Sequence, residues 1–160
     1  MSYTLLEQYG RDIDYYFYNI NIGLVHFASA GGRLPSIIEG NDLNNEQLHL
    51  SVLDLPSLFE VEINPNLSQI LGIEGEQLQT YLVDFVSIAK KGLFSFDKTK
   101  ISDPEDRTYH VVAWPKSSEQ HFLSLFILLN SKISNVILNM SNIPFSQIAK
   151  ENWSFDLNLE

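Results

Sequence analysis

Alternating apolar and polar positions divide the chain into short candidate strands. Residues 13–18 and 23–29 are rich in aromatic and β-branched side chains and lie close together, a pattern typical of a β-hairpin. The two glycines and the proline of residues 30–35 then favour a turn over a longer strand. The same criteria predict further strands at residues 58–63, 93–97, 108–114 and 153–159.

Helical periodicity is clearest over residues 75–91. Leu78, Leu82 and Phe85 recur at helical intervals, acidic residues lie at the start and lysines at the end. Gly92 then supplies a left-handed stop. Because all of these local signals agree, we predict a helix here.

Two more helices are predicted earlier in the chain. One covers residues 5–9 and is closed by the following glycine. Asn44 and Gln47 have the spacing of a capping pair, which predicts a helix over residues 46–55 that Pro56 stops. The alternating leucines and valine of this second stretch also fit a strand.

The pattern after residue 116 supports two interpretations. Ser117 and Gln120 have the spacing of a capping box, and apolar residues then follow a helical stripe over residues 118–140, broken at Asn130. The alternative is a pair of strands that turns at Asn130. A last short helix is predicted to end near residue 150.

No internal repeat or linker interrupts the chain. The elements together predict an α+β fold, with residues 1–160 as a single domain. Its sheet is expected to be mostly antiparallel, with about six strands packed against three or four helices. A chain of this length buries roughly two-thirds of its unfolded surface, which is enough for one core.

Charge is distributed unevenly along the chain. The formal net charge is −10. Residues 1–90 hold twelve acidic and three basic side chains, a net of −9, while the remainder holds eight acidic and seven basic side chains, a net of −1. Such a field repels phosphate backbones and anionic lipid and attracts a basic partner. We therefore expect no nucleic-acid or membrane partner.

The sequence lacks several features that define other classes of protein. It contains no cysteine, which excludes disulfides, thiolate metal sites and thiol nucleophiles. The longest apolar run falls far short of the ~20 residues that span a bilayer. The first residues have neither the basic nor the apolar region of a secretory signal. We expect a cytoplasmic location.

Short matches to catalytic motifs do not extend to the rest of each motif. Residues 97–99 match the start of the aspartyl-phosphate signature of P-type ATPases, but Lys100 replaces the glycine that should follow. Asp12 and Asp14 have the spacing of a phosphatase pair, but the apolar residues follow them instead of preceding them. Gly31 and Gly32 lack the remainder of a phosphate loop, so we interpret them as a turn. No cofactor is expected.

The histidines do not form a recognisable metal motif. None of them has the spacing that places two imidazoles on one helical face, and we predict no metal site. Inside predicted strands, His26 and His110 are more simply explained as hydrogen-bonded, partly buried residues. An enzyme that uses either of them with a neighbouring carboxylate as acid/base machinery is one alternative function. The four histidines are His26, His49, His110 and His121.

The aromatic run of the first predicted strand suggests an interaction surface. Tyr16 and Tyr18 share the face of Asp14, so we expect two tyrosines beside carboxylates to reach solvent. Tyrosine is enriched among interface hot spots because it offers rigid contact area. The predicted partner-binding residues are Asp12, Asp14, Tyr16, Tyr18, Glu60 and Glu62.

In size, charge and absence of catalytic motifs the chain resembles the cytoplasmic immunity proteins of bacterial polymorphic-toxin and contact-dependent inhibition systems. The resemblance implies a non-catalytic protein that neutralises a basic toxin by direct contact. Carboxylates would then meet lysines or arginines of the toxin. A second alternative is a small-molecule or peptide binding module or assembly subunit with an aromatic-lined pocket. The sequence does not determine the oligomeric state.

Overall fold

The predicted hairpin forms one edge of the sheet. A computed structural model of the chain describes residues 2–19, 23–116 and 154–156. Strand β1 (Asp14–Asn19) pairs antiparallel with β2 (Gly23–Ala28), and Tyr16 lies opposite His26 in their register. This confirms the hairpin, which follows from the aromatic and β-branched content of both segments.

The remaining strands extend the sheet from β2. Strand β4 (Phe94–Lys98) pairs parallel with β2, and β5 (Thr108–Pro115) pairs antiparallel with β4. Two short strands, β3 (Val61–Ile63) and β6 (Ser154–Asp156), pair with opposite ends of β5. Both lie on the edge of β5 that faces away from β4. The sheet is therefore mixed and open, in the order β1-β2-β4-β5-β3, with β6 beside β5.

Five helices are present in the described residues: α1 (Leu5–Gly10), α2 (Ser36–Glu39), α3 (Asp42–Leu53), α4 (Leu67–Leu71) and α5 (Gly75–Ala89). Helix α5 packs on β4 and β5, α3 packs on β1, and α2 contacts α3. Helix α1 begins with a reciprocal capping box, in which Thr4 accepts a hydrogen bond from the backbone of Glu7 and Glu7 accepts one from the backbone of Thr4.

The two faces of the sheet differ in composition. One face carries fully buried aromatic rings, with Phe27 stacked between Tyr15 at 5.2 Å and Phe96 at 5.0 Å. Ala28, the neighbour of Phe27, points to the other face, because side chains alternate along a strand. On that second face, Ala28 belongs to a buried cluster with Phe85 of α5. The second face also carries buried polar side chains, which form the candidate site.

The single α+β domain is confirmed for the described residues, but the numbers of elements are not matched in full. The sheet has five strand positions, since β3 and β6 share the last one, and five helices accompany it. Helices α2 and α4 were not predicted. Both are short, with four and five residues, so neither completes the periodic pattern that marks a helix in sequence.

The helix predicted over residues 46–55 is confirmed, and the strand alternative is wrong. The predicted capping pair is also wrong, because α3 begins at Asp42 with Asn41 as its N-cap and no side-chain capping bond. The strand predicted over residues 58–63 shortens to β3, since Leu58 and Phe59 instead donate backbone hydrogen bonds to the carbonyl of Lys90. Tertiary hydrogen bonding thus decided where the strand begins.

The prediction of a helix or strand pair over residues 118–140, and of a last helix ending near residue 150, lies outside the described residues. The C-terminal strand is confirmed for Ser154–Asp156. Among the described helices, none combines the length and the apolar character that a membrane crossing requires.

Candidate functional site

Two neighbouring rows of polar side chains cross the second face of the sheet. Strand register creates both rows, because cross-strand partners on one face lie about 5 Å apart. The first row joins β1 to β5 through Ala28 of β2, and the second joins β1 to β4. The rows are Asp14–Ala28–Asp97–His110 and Tyr16–His26–Ser95.

His26 connects the two rows. Its Nε2 lies 2.7 Å from Oδ1 of Asp14, and its Nδ1 lies 2.6 Å from the hydroxyl of Ser95. A carboxylate only accepts hydrogen bonds, so Nε2 of His26 carries a hydrogen and donates a hydrogen bond to Asp14. When His26 is neutral, Nδ1 then accepts from Ser95. His26 and Ser95 are both buried, whereas 37% of the Asp14 side chain is exposed.

Helix α3 brings a second imidazole to Asp14. Nε2 of His49 lies 3.7 Å from Oδ2 of Asp14, and its Nδ1 lies 2.7 Å from the hydroxyl of Tyr16. Burial, together with the charge of Asp14, raises the pKa of Tyr16 well above its usual range. Tyr16 therefore keeps its proton, and its hydroxyl shares a hydrogen bond with Nδ1 of His49. Asp14 is held between two imidazoles that are themselves positioned by hydroxyl groups.

The electrostatics of Asp14 favour its ionised form. Burial by itself would raise its pKa. The hydrogen bond from His26 and the charges of His26 and His49 act in the opposite direction and outweigh burial, so the pKa of Asp14 is lowered. The site thus presents a stable negative charge to solvent.

A serine, a histidine and an aspartate in one hydrogen-bonded chain also occur in hydrolases, but the geometry here differs from theirs. Ser95 is fully buried, so its hydroxyl has no access to a substrate. Asp14, at the other end of the chain, is the partly exposed member. We conclude that Ser95 and His26 orient Asp14.

Asp14 lines a cavity between β1 and α3, which we call the acidic cleft. Its volume is about 360 Å³, within the range of roughly 300–1,000 Å³ that ligand pockets occupy. The cleft lies where the residues preceding β1 and the side of α3 face each other. Its lining residues are Tyr3, Arg11, Asp12, Ile13, Asp14, Asn45, Glu46, His49 and Leu50.

Asp12 supplies a second carboxylate to the acidic cleft. Its Oδ1 accepts a hydrogen bond of 2.7 Å from the backbone N–H of Ala30 and a longer one from Ser29. Desolvation raises the pKa of Asp12, the neighbouring charge of Asp14 adds to this effect, and the two hydrogen bonds oppose it. The turn that supplies these donors has left-handed backbone at Ala30 and at Gly31.

This turn confirms the interpretation of the glycine pair as a structural feature. The N–H of Ala30 is bonded to Asp12, and that of Gly32 is bonded to the carbonyl of Ser29. These two amides are therefore engaged within the chain and do not present themselves to an anion. Within the described residues, this segment does not form a phosphate loop.

The rim of the acidic cleft already holds one guanidinium group. Arg11 lies 3.1 Å from a carboxylate oxygen of Glu46, and its guanidinium carbon lies 5.6 Å from the centre of the Tyr3 ring. Both contacts are typical of arginine recognition. Arg11 is opposed by three carboxylates, from Asp12, Asp14 and Glu46, so the charge of the cleft is negative.

A second polar cluster lies deeper, under α5. The hydroxyl of Tyr81 donates a hydrogen bond of 2.7 Å to Oδ2 of Asp97 and lies 3.4 Å from Nε2 of His110. Thr99 contacts the other ring nitrogen of His110. Burial raises the pKa of Asp97 to about 6, despite hydrogen bonds from Tyr81 and from the backbone of Lys98.

Neither histidine that was considered for acid/base catalysis is open to a substrate. His26 and His110 are both buried, and neither lines the acidic cleft or the shallow cavity beside Tyr81. Their hydrogen bonds confirm the prediction that they are satisfied strand residues. In the part of the chain that the structure describes, no three His, Asp or Glu side chains are arranged to hold a metal ion.

The structure separates the predicted partner-binding residues. Asp12 and Asp14 meet in the acidic cleft, while the exposed Glu60 and Glu62 lie at the opposite edge, just before and within β3. Strands β1 and β3 are four positions apart, which corresponds to roughly 19 Å. Glu62 accepts a hydrogen bond from the indole of Trp114. A single partner that contacts both pairs of acidic residues must therefore extend across the whole sheet.

The expectation that Tyr16 reaches solvent is wrong. Its side chain is fully buried, because α3 covers β1 and the hydroxyl of Tyr16 is hydrogen-bonded to His49. Tyr16 therefore supports the acidic cleft from beneath. The side chain of Tyr18 lies outside what the structure describes, so its predicted exposure stays a prediction.

The acidic residues of the first 90 positions are all exposed or half-exposed. They are spread over α1, β1, α2, α3, β3 and α5. Asp12, Asp14 and Glu46 are the group that the acidic cleft brings together. The acidic cleft therefore gathers three of the twelve acidic side chains of this segment.

Sequence reasoning did not select three of the residues that build the cleft. Asn45, Glu46 and His49 all come from α3, and Asn45 and His49 are four residues apart, which places them on one side of a helix. A helix predicted to begin at residue 42 would have placed Asn45 and His49 on the same side. The link to Asp14 depends on long-range packing and has no local signal.

Comparisons of the chain with models of protein families, with curated proteins and with solved structures find no match.

Proposed function

We propose that this protein is a non-catalytic acidic binding protein that neutralises a basic protein partner by direct contact, as immunity proteins do. The observation that carries the proposal is the acidic cleft, in which Asp12, Asp14 and Glu46 face one arginine. A cationic side chain of a partner would offset this charge. The partner's identity as a toxin follows from the resemblance in size, charge and motif absence.

The hydrogen-bond network fits binding better than catalysis. His26 and His49 hold the carboxylate of Asp14 from both sides, and their outer nitrogens are bonded to Ser95 and Tyr16. Such bracing fixes the direction of a charge before a partner arrives, which lowers the entropy that binding must overcome. In this proposal the histidines position Asp14 and perform no proton transfer.

The net charge of the chain adds a kinetic argument. An excess of ten negative charges attracts a cationic partner over several ångströms of solvent, and such steering raises association rates by one or more orders of magnitude at low salt. Rapid capture suits a protein that must reach a harmful partner before the partner reaches its target.

The test uses a phage-displayed library of short random peptides selected against the full chain. We expect enriched peptides to be cationic and to elute when salt is raised. The Asp12→Asn/Asp14→Asn variant should lose this enrichment, whereas the matched Glu74→Gln/Glu76→Gln variant, with the same change of charge outside the cleft, should retain it. Circular dichroism confirms that each variant is folded.

Either of two outcomes overturns the proposal. One is enrichment of peptides without lysine or arginine. The other is enrichment of cationic peptides that the Asp12→Asn/Asp14→Asn variant retains in full. A library that yields no cationic peptide at all counts equally against a cation-binding role.

The size of the acidic cleft also favours a second candidate, a small-molecule binding module. A volume of about 360 Å³ is sufficient for a compact ligand. The cleft lining is polar and charged, so this candidate implies a cationic small molecule and not the apolar ligand that an aromatic-lined pocket would hold. Binding of a free cationic compound to the cleft tests this candidate.

A further inference from the structure

The inner wall of the acidic cleft contains an unused hydrogen-bond acceptor. Asn45 is buried, and its amide nitrogen donates to the carbonyl of Asp14 at 2.8 Å and to the hydroxyl of Tyr3 at 3.1 Å. The carbonyl of Asp14 can only accept, so this orientation of the amide is fixed. Oδ1 of Asn45 then has no hydrogen-bond partner among the described residues. A buried acceptor without a partner is costly and invites a donor.

The acceptors of the acidic cleft are of the kind that a guanidinium group requires. Asp12 and Asp14 contribute separate carboxylates to the cleft, and Asn45, a buried residue of its lining, holds an amide oxygen without a hydrogen-bond partner. A guanidinium has five N–H donors in one plane, whereas an ammonium concentrates three donors on one atom. Several separated acceptors are therefore matched better by arginine than by lysine.

The rim of the cleft supports the same choice. Arg11 shows that a guanidinium lies over the Tyr3 ring and pairs with Glu46. The carboxylates of Asp12 and Asp14 line the same cleft as this arginine. A second guanidinium would therefore meet the carboxylates of Asp12 and Asp14, which Arg11 does not pair with.

Helix α3 adds an apolar surface beside the cleft, the leucine row, which consists of Leu43, Leu50 and Leu53. Their exposed fractions are 50%, 63% and 47%, large values for leucine on a helix that also buries Leu48. A helix turns about 100° per residue, so the three leucines fall within about 80° of each other. Leu50 itself lines the cleft, so the row and the cleft are continuous.

We propose that the acidic cleft receives the guanidinium of an arginine side chain on the basic partner, and that the leucine row packs against apolar residues flanking that arginine. This inference rests on the proposed function and names its contact. The apolar row supplies area and the cleft supplies the charge-specific anchor, an arrangement typical of interface hot spots. It commits to a protein segment as occupant, because a free small molecule would leave the leucine row uncovered.

The experiment is an NMR titration of the isotope-labelled full chain with three tripeptides. They are acetyl-Leu-Arg-Leu-amide, the same peptide with lysine in the centre, and the same peptide with citrulline, which keeps the shape of arginine but carries no charge. We expect the arginine peptide to shift resonances of residues 11–14 and of α3, including the side-chain amide of Asn45. The lysine peptide should bind several-fold more weakly, and the citrulline peptide should not bind measurably.

Variants of the leucine row separate the apolar contribution from the charge. Leu50→Gln/Leu53→Gln should weaken the arginine peptide by about tenfold, whereas Val83→Gln/Leu58→Gln, at sites that are 63% and 69% exposed elsewhere, should leave it unchanged. Agmatine, a free guanidinium compound, should bind more weakly than the peptide and should lose less affinity than the peptide does in Leu50→Gln/Leu53→Gln.

The outcomes distinguish this inference from the proposed function. Equal binding of the lysine and arginine peptides, or shifts confined to residues outside the cleft and α3, overturns the inference while the acidic binding role stands. Absence of binding by both cationic peptides overturns both. If agmatine binds as tightly as the peptide, the site belongs to a small molecule and the docking surface is wrong.

Discussion

The hydroxyl of Tyr81 on α5 donates a hydrogen bond of 2.7 Å to Oδ2 of Asp97 on β4. Asp97 is buried, so the bond joins the helix to the sheet where water does not compete. Burial raises the pKa of this carboxyl to about 6, and the bond from Tyr81 limits that rise. The pair therefore links the stability of the fold to pH.

The first prediction concerns Asp97→Asn. A carboxyl with a folded pKa above its unfolded value binds more protons in the native state, so its contribution to stability falls as pH rises from about 4 to about 6. Replacing it with asparagine removes this loss. Relative to the native chain, the free energy of unfolding of Asp97→Asn should increase between pH 4 and pH 7 by on the order of 1–3 kcal/mol.

Urea titrations at both pH values measure this difference. Tyr81→Phe is the control, because it keeps the carboxyl and removes one donor, so the pH dependence should persist or increase. A difference between Asp97→Asn and the native chain that is the same at pH 4 and pH 7 would contradict the assignment of this pKa.

The second prediction concerns Asp14→Asn and has the opposite sign. The pKa of Asp14 is lowered, so its carboxylate contributes stability above its unfolded pKa, near 4, and this contribution is lost as pH falls through the folded pKa. Asp14→Asn should lower the free energy of unfolding at pH 7 by about 1 kcal/mol. This is a small value for a hydrogen bond to a charged group, because Asp14 is partly exposed to solvent.

As pH falls below the lowered pKa of Asp14 in the folded chain, the stabilities of Asp14→Asn and the native chain should converge, because the native carboxyl is then protonated as well. Chemical denaturation at several pH values measures the free energy of unfolding of both chains and shows whether the two values converge. The matched change Glu74→Gln, at an exposed residue outside the hydrogen-bond network, should alter stability by less than about 0.5 kcal/mol at either pH. A constant deficit of Asp14→Asn at all pH values would indicate a purely steric effect.

The third prediction uses the close approach of Gly32 to Lys98. A Cβ at Gly32 would lie 3.1 Å from both Cδ and Cε of Lys98 and nearer still to its Nζ, which donates to the carbonyl of Asp103. Because Lys98 is fully buried, it has little room to move. Gly32→Ala should destabilise the fold by roughly 1–3 kcal/mol, as overpacking does.

A double-mutant cycle tests the cause of this effect. In a Lys98→Ala background the added methyl group meets no ammonium, so Gly32→Ala should cost much less there. Thermal or urea unfolding of the four chains measures the coupling. Equal costs in both backgrounds would show that the backbone at Gly32, and not Lys98, resists the substitution.

The fourth prediction concerns the start of α1. Thr4→Ala removes the oxygen that accepts from the backbone of Glu7 and should cost about 1 kcal/mol. Thr4→Ser retains the hydroxyl and serves as the matched control. Urea unfolding measures both, and an equal loss for serine and alanine would rule out the cap as the cause.

The local elements of this protein follow from its sequence. Residues 14–19 and 23–28 form a hairpin because their side chains suit a pleated surface, and Gly75–Ala89 forms a helix because its apolar residues recur every three or four positions. These signals act between near neighbours in the chain. They also identified Asp12 and Asp14 as candidates beside one strand.

The tertiary structure alone decided how those residues are used. Strand register places Asp14 diagonally from His26, and the packing of α3 on β1 buries Tyr16, adds His49 and creates the acidic cleft. It also places Glu60 and Glu62 at the far edge of the sheet. No local pattern encodes these contacts, since the burial and charge environment of a side chain depends on which distant element covers it, and that is determined only when the whole core packs.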